Sequence, residues 1–387
     1  MSGRSERKRP YLASRWDRLN GPQRIAGVDL ARGLAVLGMF AAHLLWIDPL
    51  DFTESSTWIA VVDGRSSILF ATLAGVSIGL VSGGRRPLRG DDLRSAQGRL
   101  AVRAGLLWIL GLMLIASDVP VFVILPAYAI LFLLSLPFLQ MDARRLFLLA
   151  GMLALLMPFL QVQLDALPFW RSAAGNDFGL LIGWHYPFPV WIAFVLAGLG
   201  AARAGILRTR VQLRMLAAGA ALAVTGYGLD AATGADETAE TRTSWGALWT
   251  ARPHSSGLLE VIGSGGFALA VIGLCLLACR TVITWVVLPL RAVGAMPLTA
   301  YTAQLVVWAV VATAVLGDAD DLRGFRDLEP FWPLVLWTIA GCTAWALLIG
   351  RGPLEWAVDR ASRIAVPTQP VAQGAGPSAE NRSARPQ

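Results

Sequence analysis

Arg24-Ile-Ala-Gly-Val-Asp29-Leu-Ala-Arg32-Gly-Leu-Ala-Val-Leu-Gly-Met-Phe-Ala-Ala-His43 is an apolar run long enough to enter a membrane, yet Asp29, Arg32 and His43 lie inside it. Ionisable groups are costly in hydrocarbon, so their presence in a span points to function. Arg32 and His43 are eleven residues apart. Read as helix, that is about three turns, which places both on one face about 16 Å apart along the axis. The reading predicts a helix with an anion-holding group at one end and a proton-transfer group at the other.

The rest of the chain supports a membrane setting. Of its 387 residues 55% are hydrophobic and only 15% charged, against roughly 25% charged in an ordinary globular domain. The 15 Trp and 21 Pro suit a polytopic protein, because Trp gathers at interfaces and Pro is tolerated within spans. Runs of about 20 apolar residues are expected near 25–47, 59–82, 99–117, 119–140, 145–163, 187–204, 211–229, 258–279, 292–316 and 331–350. The short stretch 282–290 reads as an interfacial helix or an eleventh element. The expected fold is therefore all-α, a polytopic bundle of 10–11 transmembrane helices over residues 25–360. A basic tail, 1–24, and a Pro-, Gly-, Ser- and Gln-rich tail, 366–387, flank it and are expected to be disordered. No small-residue cleavage site follows the first apolar run, which reads as an uncleaved anchor.

Charge placement sets the orientation. With ten spans, 26 of the 33 Arg and Lys fall on the side of the termini and five on the other, with Arg32 and Arg65 inside spans. By the positive-inside rule both termini are cytoplasmic. The same split accounts for the net charge of +7 without nucleic acid as a partner. The opposite loops are acidic, as at Asp236, Glu237, Asp318 and Asp320. The expected location is the plasma (inner) membrane. The three Cys lie in apolar runs without metal-ligand neighbours and read as packing residues, so no metal is expected.

Candidate chemistry gathers around His43, whose side-chain type suits acid–base work near neutrality. Asp63, at the outer start of the second span, sits at a similar depth and is the candidate to orient the imidazole; a structural ion pair with Arg65 or Arg32 is its alternative. Arg32 and Asp29, one turn apart near the cytoplasmic mouth, read as a phosphate contact or as an interfacial anchor. Arg65 joins them as a cofactor-binding candidate. His254 with Glu260, His185 beside Tyr186, and the span residues Tyr301 and Gln304 are candidate acceptor-binding groups. Packing or interhelical bonding is the alternative for each. There is no P-loop, no HExxH and no CxxC.

Four motifs point further. They are Asp29-Leu-Ala-Arg-Gly-Leu-Ala with Met39 and His43, Phe70-Ala-Thr-Leu-Ala-Gly-Val-Ser-Ile-Gly-Leu80, Gly294-Ala-Met-Pro-Leu-Thr-Ala-Tyr-Thr-Ala-Gln304, and Gly352-Pro-Leu-Glu-Trp356. Over roughly 25–360 the sequence resembles the transmembrane acyltransferase superfamily, which includes the heparan-alpha-glucosaminide N-acetyltransferase-like proteins, the YeiB family and the O-acyltransferases of bacterial polysaccharides. The four motifs together look most like the YeiB branch; the last two are fairly specific and the first is shared widely. The resemblance implies a ten- or eleven-helix bundle that moves an acyl group, usually acetyl from coenzyme A on the cytoplasmic side, to an acceptor on the far side. In the O-acyltransferase branch an Arg and a His share the first helix at the spacing of Arg32 and His43, with His as base. In the lysosomal N-acetyltransferase the essential His stands in the first outer loop just before a Trp. The matching stretch here is Ser55-Ser-Thr-Trp58, without His, so either His43 takes the role or the activity is lost.

The functional expectation is an integral-membrane acyltransferase that takes acetyl-CoA or another acyl-CoA as cosubstrate. Its acceptor is a hydroxyl or amine of a glycan or other cell-envelope component. Direct transfer and an acyl-histidine intermediate both remain open. Membrane lipids are expected partners, and a homo-oligomer is compatible with the sequence. The alternatives are a transporter or flippase for a small anion or lipid-linked sugar, or a non-catalytic membrane protein. A transporter would call for paired broken helices in matched repeats, and none is visible.

Overall fold

The computed structural model describes residues 19–21, 24–51, 53–234 and 245–367. The described residues form helices joined by turns and loops, with no strand among them. The central element is α1, Ala26–Leu44. It is followed by a 3-10 segment, Ser55–Val62, and α2, Arg65–Val81. Then come α3, Gly90–Ile115, and α4, Leu125–Ser135. Next are α5, Ala143–Asp165, and α6, Ala173–Ile182. They lead to α7, Phe188–Ala204, α8, Thr209–Thr233, and α9, Leu258–Ala278. The short α10, Ile283–Val286, and α11, Leu288–Ala295, precede α12, Pro297–Leu316. The chain closes with α13, Leu322–Asp327, α14, Phe331–Leu348, and α15, Pro353–Ala365.

Eight helices are long and apolar enough to cross a membrane: α1, the 3-10 segment continued by α2, α3, α5, α8, α9, α12 and α14. The protein is a multi-pass membrane helix bundle. The two other expected spans are present as shorter apolar helices. The expected span at 119–140 stays irregular through Ile124, starts its helix at Leu125-Pro126, and ends in a 3-10 turn at Leu136–Phe138. The one at 187–204 starts its helix after Pro187 and stops at Gly205, φ +93°. Proline favours a first turn and cannot continue a helix, and glycine accepts the left-handed cap. The expected span at 292–316 is likewise broken, at Met296-Pro297. Stretch 282–290 becomes α10 and the first turn of α11. Most of the two tails lies outside the described residues. Of the expected N-terminal tail, however, Leu19 and Asn20 are packed: Arg291 Nη2 donates to Leu19 O at 2.9 Å and to Asn20 Oδ1 at 2.8 Å.

Burial explains the rank of α1. In its membrane-length window 72% is buried inside the protein, against 17% in α8 and in α14, whose apolar sides face outward. Small residues allow the close contacts. Gly33 of α1 meets the backbone of Leu290 and Gly294 on α11, and Gly226 of α8 meets that of Gly263 on α9. Such backbone approach is the usual source of association between helices in lipid, where apolar burial no longer favours one partner over another.

The cap of α12 links two of the motifs. Met296 cannot cap that helix through its side chain. Glu355 of α15 does so instead, accepting from Leu298 N at 2.7 Å, Thr299 N at 3.1 Å and Thr299 Oγ1 at 2.6 Å. A carboxylate on the first-turn N–H groups also complements the helix dipole. This contact orients α12, which carries Tyr301 and Gln304.

Candidate active site

All three histidines of the chain line one cavity of about 160 Å³ at the C-terminal end of α1, together with Asp63 and Arg326. They come from distant stretches: His43 from α1, His185 from the α6–α7 turn, and His254 from the loop before α9. Two glycines make room for this convergence. Gly64, φ +64°, lies against Pro253 and His254, and Gly183, φ +67°, lies against Ala127. A Cβ at either would meet backbone, and the left-handed conformation already favours glycine.

The His43 Nδ1 atom stands 3.3 Å from Gln304 Oε1 and 3.2 Å from Gln304 Nε2. If Nδ1–H donates to the amide oxygen, Nε2 keeps its lone pair and is the basic nitrogen. Tyr301 packs edge-on at 6.4 Å between ring centroids, and its hydroxyl accepts from Ile124 N at 3.3 Å. Tyr301 and Gln304, expected as acceptor-binding groups, both contact the His43 ring, Gln304 through a hydrogen bond and Tyr301 edge-on, and neither lines the cavity. The orienting contact on Nδ1 comes from Gln304 rather than from Asp63. Asp63 faces the same cavity, and its charge acts on Arg326 and Tyr186.

Arg326 closes the end of α1. Its Nε donates to His43 O at 3.0 Å and its Nη2 to Ala42 O at 3.3 Å, and the guanidinium lies 4.6 Å over the Trp46 ring. A cation at the last carbonyls of a helix is favoured by the dipole. Burial lowers the Arg326 pKa and the Asp63 charge opposes that shift. In sequence Arg326 counts only as a loop charge; nothing in its neighbours signals that it reaches His43.

Glu260 supports His254. His254 and Ser256 both hold positive φ, 61° and 55°. The buried Glu260 carboxylate accepts from His254 N at 2.7 Å, Ser256 N at 2.6 Å and Ser255 Oγ at 3.2 Å. Glu260, expected as an acceptor ligand, thus fixes the loop that carries His254. His254 lies 5.0 Å from the His185 ring, which stacks on Phe122 at 3.7 Å and 9°.

Next to this cavity lies a larger one of about 730 Å³, which shares the wall Pro120–Phe122, His185 and Tyr186. The Tyr186 hydroxyl donates to Phe122 O at 3.0 Å. Burial, with Tyr301 and Asp63 nearby, pushes its pKa up, so it stays a donor.

At the other end of α1, Asp29 accepts from Arg24 Nη1 at 3.3 Å and from Arg32 Nη1 at 3.1 Å, and Arg32 Nη2 donates to Ser77 Oγ at 2.7 Å. Arg65, expected with this set, is elsewhere. It lies twelve residues from Ser77 along α2, about 18 Å at the helical rise. There its Nε donates to Tyr227 Oη at 2.7 Å, its Nη1 donates to Ala60 O at 2.9 Å, and the guanidinium covers the Tyr227 ring. The α2 helix separates the two arginines, which a reading that counted only charges within spans could not register. Among the described residues no group of three His, Cys, Asp or Glu side chains is placed to hold a metal ion.

Residues 24–228 match the sequence model of the heparan-alpha-glucosaminide N-acetyltransferase catalytic domain. The chain belongs to that family. Residues 201–364 match a second domain, described as a protein of unknown function (DUF418), the YeiB-type domain. No curated protein matches the chain. The heparan-alpha-glucosaminide N-acetyltransferase match contains His43, Asp63 and His185, and the second match contains His254, Gln304, Arg326 and Glu355. The histidine cavity thus lies where the two matched regions meet. The match sets the protein in an acetyltransferase-type family of membrane proteins.

Proposed function

We propose that the protein is an integral-membrane acyltransferase of the plasma membrane, moving an acyl group, acetyl in the first instance, from cytoplasmic acyl-CoA to a hydroxyl or amine of a glycan or other envelope acceptor. The observation that carries this reading is the meeting of His43, His185 and His254 with Asp63 and Arg326 in one cavity, with His43 held through Nδ1 by Gln304. His43 is the base. Its Nε2 takes the proton from the acceptor as the acceptor heteroatom attacks the thioester carbonyl. The C–S bond breaks, and the imidazolium returns the proton to the leaving thiolate. Asp63 stabilises the imidazolium through its charge, and Arg326 supplies a cation for the carbonyl oxygen as it gains charge. Arg32 and Asp29, about 16 Å away along α1, are the proposed contacts for the donor's phosphates, with Arg32 as the binding group.

The test uses purified protein in nanodiscs, wild type and His43→Ala, with radiolabelled acetyl-CoA. Binding in both with turnover or slow hydrolysis only in wild type supports the assignment. Turnover that persists in His43→Ala removes His43 from the mechanism. Absence of binding in both counts against coenzyme A as donor.

A further inference from the structure

The 730 Å³ cavity is in the size range of small-ligand sites, and its lining is of two kinds. Part of the lining is aromatic. Trp170 and Trp184 stack at 4.4 Å. Both indole N–H groups are already used, that of Trp170 on Leu164 O at 2.8 Å and that of Trp184 on Asp165 Oδ1 at 2.8 Å. The rings are thus locked as one apolar stack, in which each covers a face of the other and Phe178 lies against Trp170 at 6.4 Å and 24°, so the uncovered face of Trp184 is the one suited to the C–H face of a pyranose. The polar part of the lining is Asp118, Asp318, Asp320 and Asn176, with His185 where the two cavities adjoin. None of the described residues lining the cavity is Lys or Arg. Three carboxylates without a lining cation accept hydroxyl protons readily and repel an anion. Beyond the stacked His185–Phe122 pair, which both cavities share, lies His43.

We propose that this outer cavity is the acceptor subsite and that it takes a neutral, hydroxyl-rich glycan end, excluding one that bears a carboxylate, sulfate or phosphate. The proposal rests on the acyltransferase reading for its use of the word acceptor. The nucleophile it selects is a hydroxyl. An amine among three carboxylates is held as its ammonium, without a lone pair, whereas a hydroxyl keeps its own. A sugar seated on Trp184 places one hydroxyl past His185 towards His43. The oxygen forms the ester C–O bond as the thioester C–S bond breaks, and its proton travels through His43 to the leaving thiolate.

The experiment reads binding without the donor. Saturation-transfer NMR on the protein in nanodiscs compares methyl glucoside, galactoside and mannoside with methyl glucuronide. At least one neutral glycoside is expected to bind at least tenfold more tightly than the glucuronide. Asp118→Asn with Asp318→Asn and Asp320→Asn is expected to shrink the discrimination to threefold or less and to weaken neutral binding as well, because hydroxyl acceptors are lost with the charge. Trp184→Ala is expected to lose both. Thermal unfolding of each variant separates loss of the site from loss of the fold. No neutral glycoside binding, equal binding of the glucuronide, or discrimination that survives the triple substitution in folded protein each overturn the proposal. Adding acetyl-CoA to the protein with its bound glycoside then tests the other reading separately. Binding without acylation leaves the subsite standing and removes the acyl transfer.

Discussion

Glu260→Gln is the substitution whose consequence can be worked most directly from the structure. The native carboxylate receives three hydrogen bonds from the 254–256 loop. A glutamine of the same length has one oxygen and one NH2 group. One of the backbone amides, of His254 or of Ser256, must then face another donor. Loss of a hydrogen bond to a buried charged group costs about 1.5–3 kcal/mol. His254 and Ser256 also hold left-handed backbone that costs about 1–2 kcal/mol per residue, so the loop has an incentive to relax once its acceptor is gone. Opening of the loop should become easier by about 1.5–3 kcal/mol, which corresponds to about 10- to 150-fold faster amide exchange. Hydrogen–deuterium exchange by mass spectrometry on the peptide spanning 252–258, in nanodiscs, reads this. The peptide spanning α1 serves as control and should not change. Unchanged exchange at 254–256 would refute the claim that Glu260 holds His254.

Further substitutions test the remaining supports. Glu355→Ala removes the three bonds that start α12; a loss of about 2–4 kcal/mol is expected from charge-assisted bonds of this kind, seen as a lower unfolding temperature, and Glu355→Gln should recover part of it. Arg326→Gln loses the bonds to Ala42 and His43 carbonyls, and should lower turnover at least tenfold while acyl-CoA binding holds, since Arg32 is at the other end of α1. For Asp359, burial raises the pKa, but hydrogen bonds from Arg351 and Arg363 and the charge of Arg103 outweigh it, and the net shift is downward. Because its folded pKa lies below its unfolded one, Asp359 contributes stability that is present above about pH 4 and is lost as pH falls through the folded value. Docking of α15 should weaken in acid, and Asp359→Asn should remove that pH dependence; an acid limb unchanged in the variant would contradict the assignment.

The sequence by itself determined the apolar spans, because hydrocarbon demands about 20 consecutive apolar residues for each long helix, and eight such helices are present. It also determined that Arg32 and His43 share a side of α1, because the period of a helix is local and needs no partner. The motif at Gly294–Gln304 and the motif at Gly352–Trp356 were both visible as strings. That one caps the helix of the other through Glu355 was not, because the contact spans more than 50 residues. The same limit governs the site. His185 and His254 were visible as loop residues near span ends, but spacing along a chain says nothing about how two loops fold over the end of a bundle. Only the tertiary structure brings them to His43, turns Glu260 into a support for His254, and puts Gln304 rather than Asp63 on Nδ1. It also takes Arg65 away from Arg32 and delivers Arg326, 283 residues from His43, to the end of α1. Each of these is a long-range contact set by how helices pack around glycines and by which buried polar groups must find partners, and both are properties of the assembled bundle.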